Sequence, residues 1–218
     1  MLGMMKRIMN WMLCAILVCG ASMVMTSCGD DDDNDNKGSE TTPNTYEVVV
    51  GAILPKCTAE YFDLQVDYTD ANGKKNTLVV SAGDQTETLN AEMKAIYDEQ
   101  KDFCISLVPK ISAEQKAKFD QYIVKNIKIA VPAGKSCSFA GTIKARKDYK
   151  ISSPEIDIIT PVVVSTCRRV SGNSPDNSNS GYSMRQTITA YLAVDTSYMD
   201  ELMENLEGRD VGKASINL

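Results

Sequence analysis

From residue 46 onward the chain alternates apolar and polar positions with a period of two, the pattern of strands buried on one face. Residues 60–68 show it best: Phe62, Leu64, Val66 and Tyr68 share one side, and Tyr61, Asp63, Gln65 and Asp67 the other. Asp70-Ala71-Asn72-Gly73 supplies turn chemistry before a returning strand at 78–80, so this pair predicts a β-hairpin. Residues 46–54 form another β-rich run, and Phe103, Ile105 and Leu107 alternate within a further one. Ile123, Ile127, Ile129 and Val131 share a parity before Pro132 and Gly134 turn the chain, and Cys137, Phe139, Ile143 and Ala145 share the next. Residues 156–167 are a long β-branched run in which Pro161 predicts a bulge or an edge position. Met184, Ile188, Ala190, Leu192 and Val194 alternate against Arg185, Thr187, Thr189 and Tyr191. About eight strands at this spacing predict a mainly β domain: an antiparallel β-sandwich of immunoglobulin-like type.

Two or three short helices complete the expectation. Residues 197–207 carry Ser197 as a cap, Asp200 and Glu201 in the first turn, and Gly208 as a stop, with Tyr198, Leu202 and Leu206 as the buried stripe. Leu89, Met93, Ile96 and Tyr97 predict a short helix capped by Asn90, and Ser112 with Gln115 forms a capping box for a third.

Two polar tracts lack any period. Residues 171–181 read as a long loop, and residues 29–45 hold too few apolar groups to fold, so they read as a tether. Extended, that tether reaches ~55–60 Å, and as a flexible coil ~20–25 Å. Its acidity raises the question of calcium, but an EF-hand loop starting at Asp33 has Gly38 in place and Asn44 where the closing Glu is needed.

The tether follows a secretory pattern: Lys6 and Arg7, then an apolar stretch at 11–19, then Gly20, Ala21 and Ser22. That stretch is shorter than the ~20 apolar residues a membrane span requires. Met25-Thr26-Ser27-Cys28 resembles a bacterial lipobox, with Met25 standing where Leu is usual, and the acidic tract after Cys28 resembles the export signal of Bacteroidota surface lipoproteins. The resemblance implies cleavage before Cys28, acylation of that residue, and an outer-membrane protein held by lipid on the cell surface, the periplasmic face being the alternative. The chain thus divides into a signal peptide at 1–27, a lipidated Cys28 with its tether at 28–45, and a single β-sandwich domain at 46–218.

Loss of residues 1–27 removes Lys6 and Arg7 but no acid, moving the net charge from −6 to about −8. Such a chain repels phosphate backbones, which argues against nucleic acid as a partner. With no His anywhere, Ser-His-Asp and Cys-His catalysis and His-ligated zinc are excluded. Beyond Cys28 the cysteines are Cys57, Cys104, Cys137 and Cys167, an even number that permits two disulfides in any of three pairings, with buried free thiols as the alternative. No C-x-x-C occurs among them, so neither a metal nor another cofactor is expected.

Other motifs fail on inspection. Gly134-Lys135-Ser136 ends like a phosphate-binding loop, yet Ile129 stands where the first Gly belongs, and a turn explains the triplet. Asp195-Thr196-Ser197 resembles half of an aspartic-protease pair without its Gly. Tyr61, Asp63, Asp67 and Tyr191 form a candidate ligand surface, able to stack on a saccharide and hydrogen-bond it. The expected role is non-catalytic: binding, adhesion or assembly at the cell surface, with a glycan or a protein as partner. A small-molecule carrier built as a calycin-like barrel is the second expectation, and a two-carboxylate glycoside hydrolase the third.

Overall fold

The computed structural model describes residues 43–108, 111–171 and 188–218. Cys28, the tether up to residue 42, and most of the polar loop with Met184 and Arg185 lie outside the described residues. Strands take 47% of the described chain and helices 24%, and every strand pairing is antiparallel, so the mainly β expectation holds.

The first sheet has the order β4-β1-β7, with β1 (Thr45–Pro55) between β4 (Tyr122–Pro132) and β7 (Val162–Ser171). The second has the order β3-β2-β5-β9, from β2 (Phe62–Thr69), β3 (Lys75–Val80), β5 (Ser136–Ala145) and β9 (Asp210–Asn217). A third pairs β6 (Glu155–Ile159) with β8 (Ala190–Asp195). The predicted hairpin is β2–β3, where the Asp70 carboxylate accepts from the Asn72 and Lys74 amides and Gly73 takes φ +78°.

One core lies between the first two sheets. Val48, Val50, Ala52 and Leu54 of β1 meet Phe62, Leu64 and Val66 of β2 and Cys137, Phe139 and Ile143 of β5. The odd positions of β1 turn the other way: Ile53 joins a second core with Val124, Val162 and Val164 beneath α2 (Ala91–Ser106). Both faces of the first sheet are thus covered, and β1 is buried without interruption from Val50 to Pro55. Asn90 fastens the helix at its start, accepting from the Met93 amide at 2.8 Å and donating to Thr166 Oγ1 of β7 at 3.0 Å.

The described residues hold four α-helices, more than the two or three expected. The alternation at Phe103, Ile105 and Leu107 does not form a strand. It belongs to the last turns of α2, whose buried Met93, Ile96, Tyr97, Lys101, Cys104 and Ile105 keep a helical period, leaving Phe103 exposed. Pro161 marks no bulge but stands between two edge strands, β6 and β7. It sits buried where the chain leaves β6 for β7, beside Thr160, whose amide donates to the Thr189 carbonyl and whose Oγ1 accepts from the Thr189 amide.

The remaining helices are α1 (Lys56–Ala59), α3 (Ala113–Phe119) with its capping box of Ser112 and Gln115 intact, and α4 (Met199–Leu206). A 3₁₀ turn, Thr196–Tyr198, precedes α4, and its cap is the Asp195 carboxylate accepting from the Ser197 amide, not the Ser197 hydroxyl. The buried stripe is Met199, Leu202, Met203 and Leu206, while Tyr198 is exposed.

Candidate functional site

The larger cleft, about 390 Å³, opens where α1, the end of α3 and the start of β6 meet. Lys56, Glu60 and Tyr61 line it from α1 and the turn after it, Lys118 and Gln121 from α3 and its exit, and Ser152, Ser153, Glu155 and Asp157 from β6 and its approach. Three carboxylates, two ammonium groups and three hydroxyls therefore share one opening, with Cys57 beside them.

Fully buried Thr58 holds α1 in this position. Its hydroxyl donates to the Ile159 carbonyl at 2.5 Å and accepts from the Ile159 amide at 3.2 Å, imitating a strand neighbour to β6. Thr58→Val, nearly isosteric, strands both backbone groups of Ile159 and is expected to cost about 1–3 kcal/mol in urea unfolding. An unchanged midpoint would show that α1 is held by other means.

Asp157 organises the opposite wall. Its side chain is 8% exposed and accepts from Gln115 Nε2 at 3.1 Å, Lys118 Nζ at 3.0 Å and the Ala193 amide at 2.8 Å. Burial pushes its pKa up, but the Ala193 amide, Lys118 and Gln115 together outweigh that, and the carboxyl lies below its usual value. Ala193 has φ +49°, at the irregularity where β6 and β8 shift register. An ionised carboxylate at this point joins α3, β6 and β8.

Cys57 is no ready nucleophile. Burial pushes its thiol up, against a long contact from Sγ to Thr58 Oγ1 at 3.9 Å. Among the described residues no three His, Cys, Asp or Glu side chains are placed to hold a metal ion.

The four residues of the candidate ligand surface are dispersed. Tyr61 is not outward-facing: it is 3% exposed, edge-on to Tyr149 at 6.1 Å, because β2 begins one residue later and its alternation does not reach back. Asp63 does lie on the outer side of β2, half-buried, at 3.4 Å from Arg146 Nη1. Asp67, exposed, accepts from Thr77 Oγ1 at 2.6 Å and Gln65 Nε2 at 2.9 Å. The Tyr191 hydroxyl accepts from Arg209 Nη1 at 3.1 Å. Of the four, only Tyr61 lines the larger cleft.

A second cleft, about 220 Å³, lies between the β2–β3 and β4–β5 turns, with Lys135, Ser136 and Ser138 on its wall. Gly134-Lys135-Ser136 is thus a strand-to-strand turn, as its sequence suggested.

Sequence reasoning passed over Asp157. Its signal was available: a single carboxylate inside the β-branched run 156–167 must find partners if that run is buried. Compared with family models, with curated proteins and with solved structures, the chain matches none.

Proposed function

We propose that the chain is a lipid-anchored protein of a bacterial cell surface with a non-catalytic binding, adhesion or assembly role, carried on an immunoglobulin-like β-sandwich. The observation that supports it most is the order of segments: Lys6 and Arg7, an apolar stretch, Cys28, an acidic polar tract, and then β1 starting at Thr45. Two or more acyl chains at Cys28 make such an anchor effectively permanent, since each buried methylene contributes roughly 0.8 kcal/mol.

The larger cleft is where we place the partner, a glycan or a protein segment. Its mixed carboxylates, ammonium groups and hydroxyls suit a hydroxyl-rich ligand that both donates and accepts. A two-carboxylate hydrolase needs an ionised carboxylate free to face the substrate, and Asp157 is already committed to Gln115, Lys118 and the Ala193 amide. A calycin-like carrier needs one closed sheet around a cavity, and the described strands instead form open sheets with side chains filling the space between two of them.

The test is metabolic labelling with an alkyne-bearing fatty acid in cells expressing the full chain. Wild type is expected to take up the label, fractionate with the outer membrane and be shaved from intact cells by protease, while Cys28→Ser does none of these. An unlabelled wild-type protein sinks the anchor. For the ligand, a glycan array probed with the native protein is expected to give signals that Glu155→Lys weakens at least tenfold.

A further inference from the structure

The four cysteines of the folded part are sorted by the first sheet. Cys137 and Cys167 belong to the core between the two larger sheets, whereas Cys104 lies in the core under α2 and Cys57 packs against that same core.

On β5 the inward positions are Cys137, Phe139, Gly141 and Ile143, and on β7 they include Val163 and Cys167. The two strands meet at Gly141, where an added Cβ would come within 2.4 Å of Val163 Cγ2. Their relative direction follows from the pairings. β4 and β7 are both antiparallel to β1, and the tight turn closed by the Lys135 amide on the Pro132 carbonyl reverses the chain from β4 into β5. So β5 and β7 run in opposite senses. Cys137 lies four residues before the meeting point on one, and Cys167 four residues after it on the other, which carries both thiols the same way along the core. Each is a buried free thiol in this structure, and a charge on Cys137 would push the Cys167 thiol up.

Neither remaining cysteine can take part. Cys167 pairs with Val48 near one end of β1, and Cys57 follows the other end, roughly 25 Å away at about 3.3 Å per residue. Cys104 is on the far side of the sheet.

We propose that Cys137 and Cys167 are joined by a disulfide across the core in the exported protein, fastening β5 of one sheet to β7 of the other. The inference rests on the export reading for its oxidising surroundings, but the choice of partners rests on the fold alone. The two thiols give up two protons and two electrons. The S–S bond forms as the electrons pass, by thiol–disulfide exchange, to the disulfide of an oxidising partner, which leaves as a dithiol. Burial pushes both thiols up to about 11, so thiolate is scarce in the closed core and the bond forms while the sheets are still assembling.

The experiment maps cysteines by mass spectrometry without reductant, after trapping with N-ethylmaleimide in denaturant. One arm uses protein taken directly from cells. The other uses the same protein reduced, unfolded and refolded with oxidised glutathione. Both arms are expected to give a cross-linked peptide pair containing Cys137 and Cys167, and the Cys57→Ser and Cys104→Ser variants are expected to keep it. Reducing the bond should lower the folded-to-unfolded ratio about a hundredfold to a thousandfold for a closed loop of this length. A bond present only after refolding upholds the pairing and overturns its formation in the exported protein. Refolded protein with Cys137 and Cys167 separately alkylated, or bonded to Cys57 or Cys104, overturns the pairing itself.

Discussion

Gly212→Ala is expected to destabilise the fold by about 3–5 kcal/mol, the sum of backbone strain and overpacking. Gly212 has φ +149°, a region in which a Cβ is strained whatever space surrounds it. Space is also lacking: a Cβ there would lie 2.8 Å from the Val163 carbonyl oxygen and 2.9 Å from Val163 Cβ. Gly212 pairs directly with Gly141 across β9 and β5, so the two glycines together let the second sheet touch β7.

Gly141→Ala has a different obstacle, side chains rather than backbone: the Val163 Cγ2 methyl at 2.4 Å and, less tightly, Val211 Cγ2 at 3.3 Å. Val163→Ala should therefore recover part of the loss in Gly141→Ala but not in Gly212→Ala, where backbone is in the way. Urea midpoints of the three single variants and two doubles decide this. Equal rescue of both glycine variants, or a Gly212→Ala midpoint within error of wild type, would mean the sheets do not approach here.

The parts of the fold that were legible in the sequence are those covered on one side only. β2 alternates because its outer face, with Asp63, Gln65 and Asp67, meets solvent at least in part while Phe62, Leu64 and Val66 do not. β1 lies in the first sheet between two cores, so its residues are apolar on both sides and its run carries no direction. Nothing local could say that Val48 and Ile53 face different layers.

α2 was split for a related reason. Residues two and four apart, such as Phe103, Ile105 and Leu107, fit a strand, and only the longer sequence of buried positions from Met93 to Ile105 reveals the helical period. At α4 two capping residues stand close together: the Asp195 carboxylate accepts from the amide of Ser197 itself, so the capped turn begins two residues earlier and Ser197 lies inside it.

The cleft was illegible for a different reason. Glu60, Lys118 and Asp157 come from separate elements far apart in the chain, so no spacing marks them. The residues favoured for their chemistry, Tyr61 and Tyr191, are drawn into the fold by Tyr149 and Arg209.

Asp157→Ala is expected to cost about 2–4 kcal/mol at neutral pH, because the loss is of an anion with three donors in a largely buried place. Ala193 would lose the acceptor for its amide while still held at φ +49°, and α3 would lose both of its ties to β6 through Gln115 and Lys118. Asp157→Asn keeps an oxygen for the Ala193 amide and Gln115 but loses both the charge and the acceptor opposite Lys118, so about half that cost is expected.

The pH dependence separates the charge from the shape. The folded carboxyl has a lowered pKa, so its stabilisation is fully present above the unfolded value of about 4 and disappears as the pH falls through the depressed folded value. The gap between wild type and Asp157→Asn should accordingly be constant from pH 7 to about 5 and close on further acidification. Urea unfolding of both proteins at several pH values measures it. A gap that persists unchanged below pH 3, or widens there, would mean that Asp157 is not the ionised hub joining α3, β6 and β8.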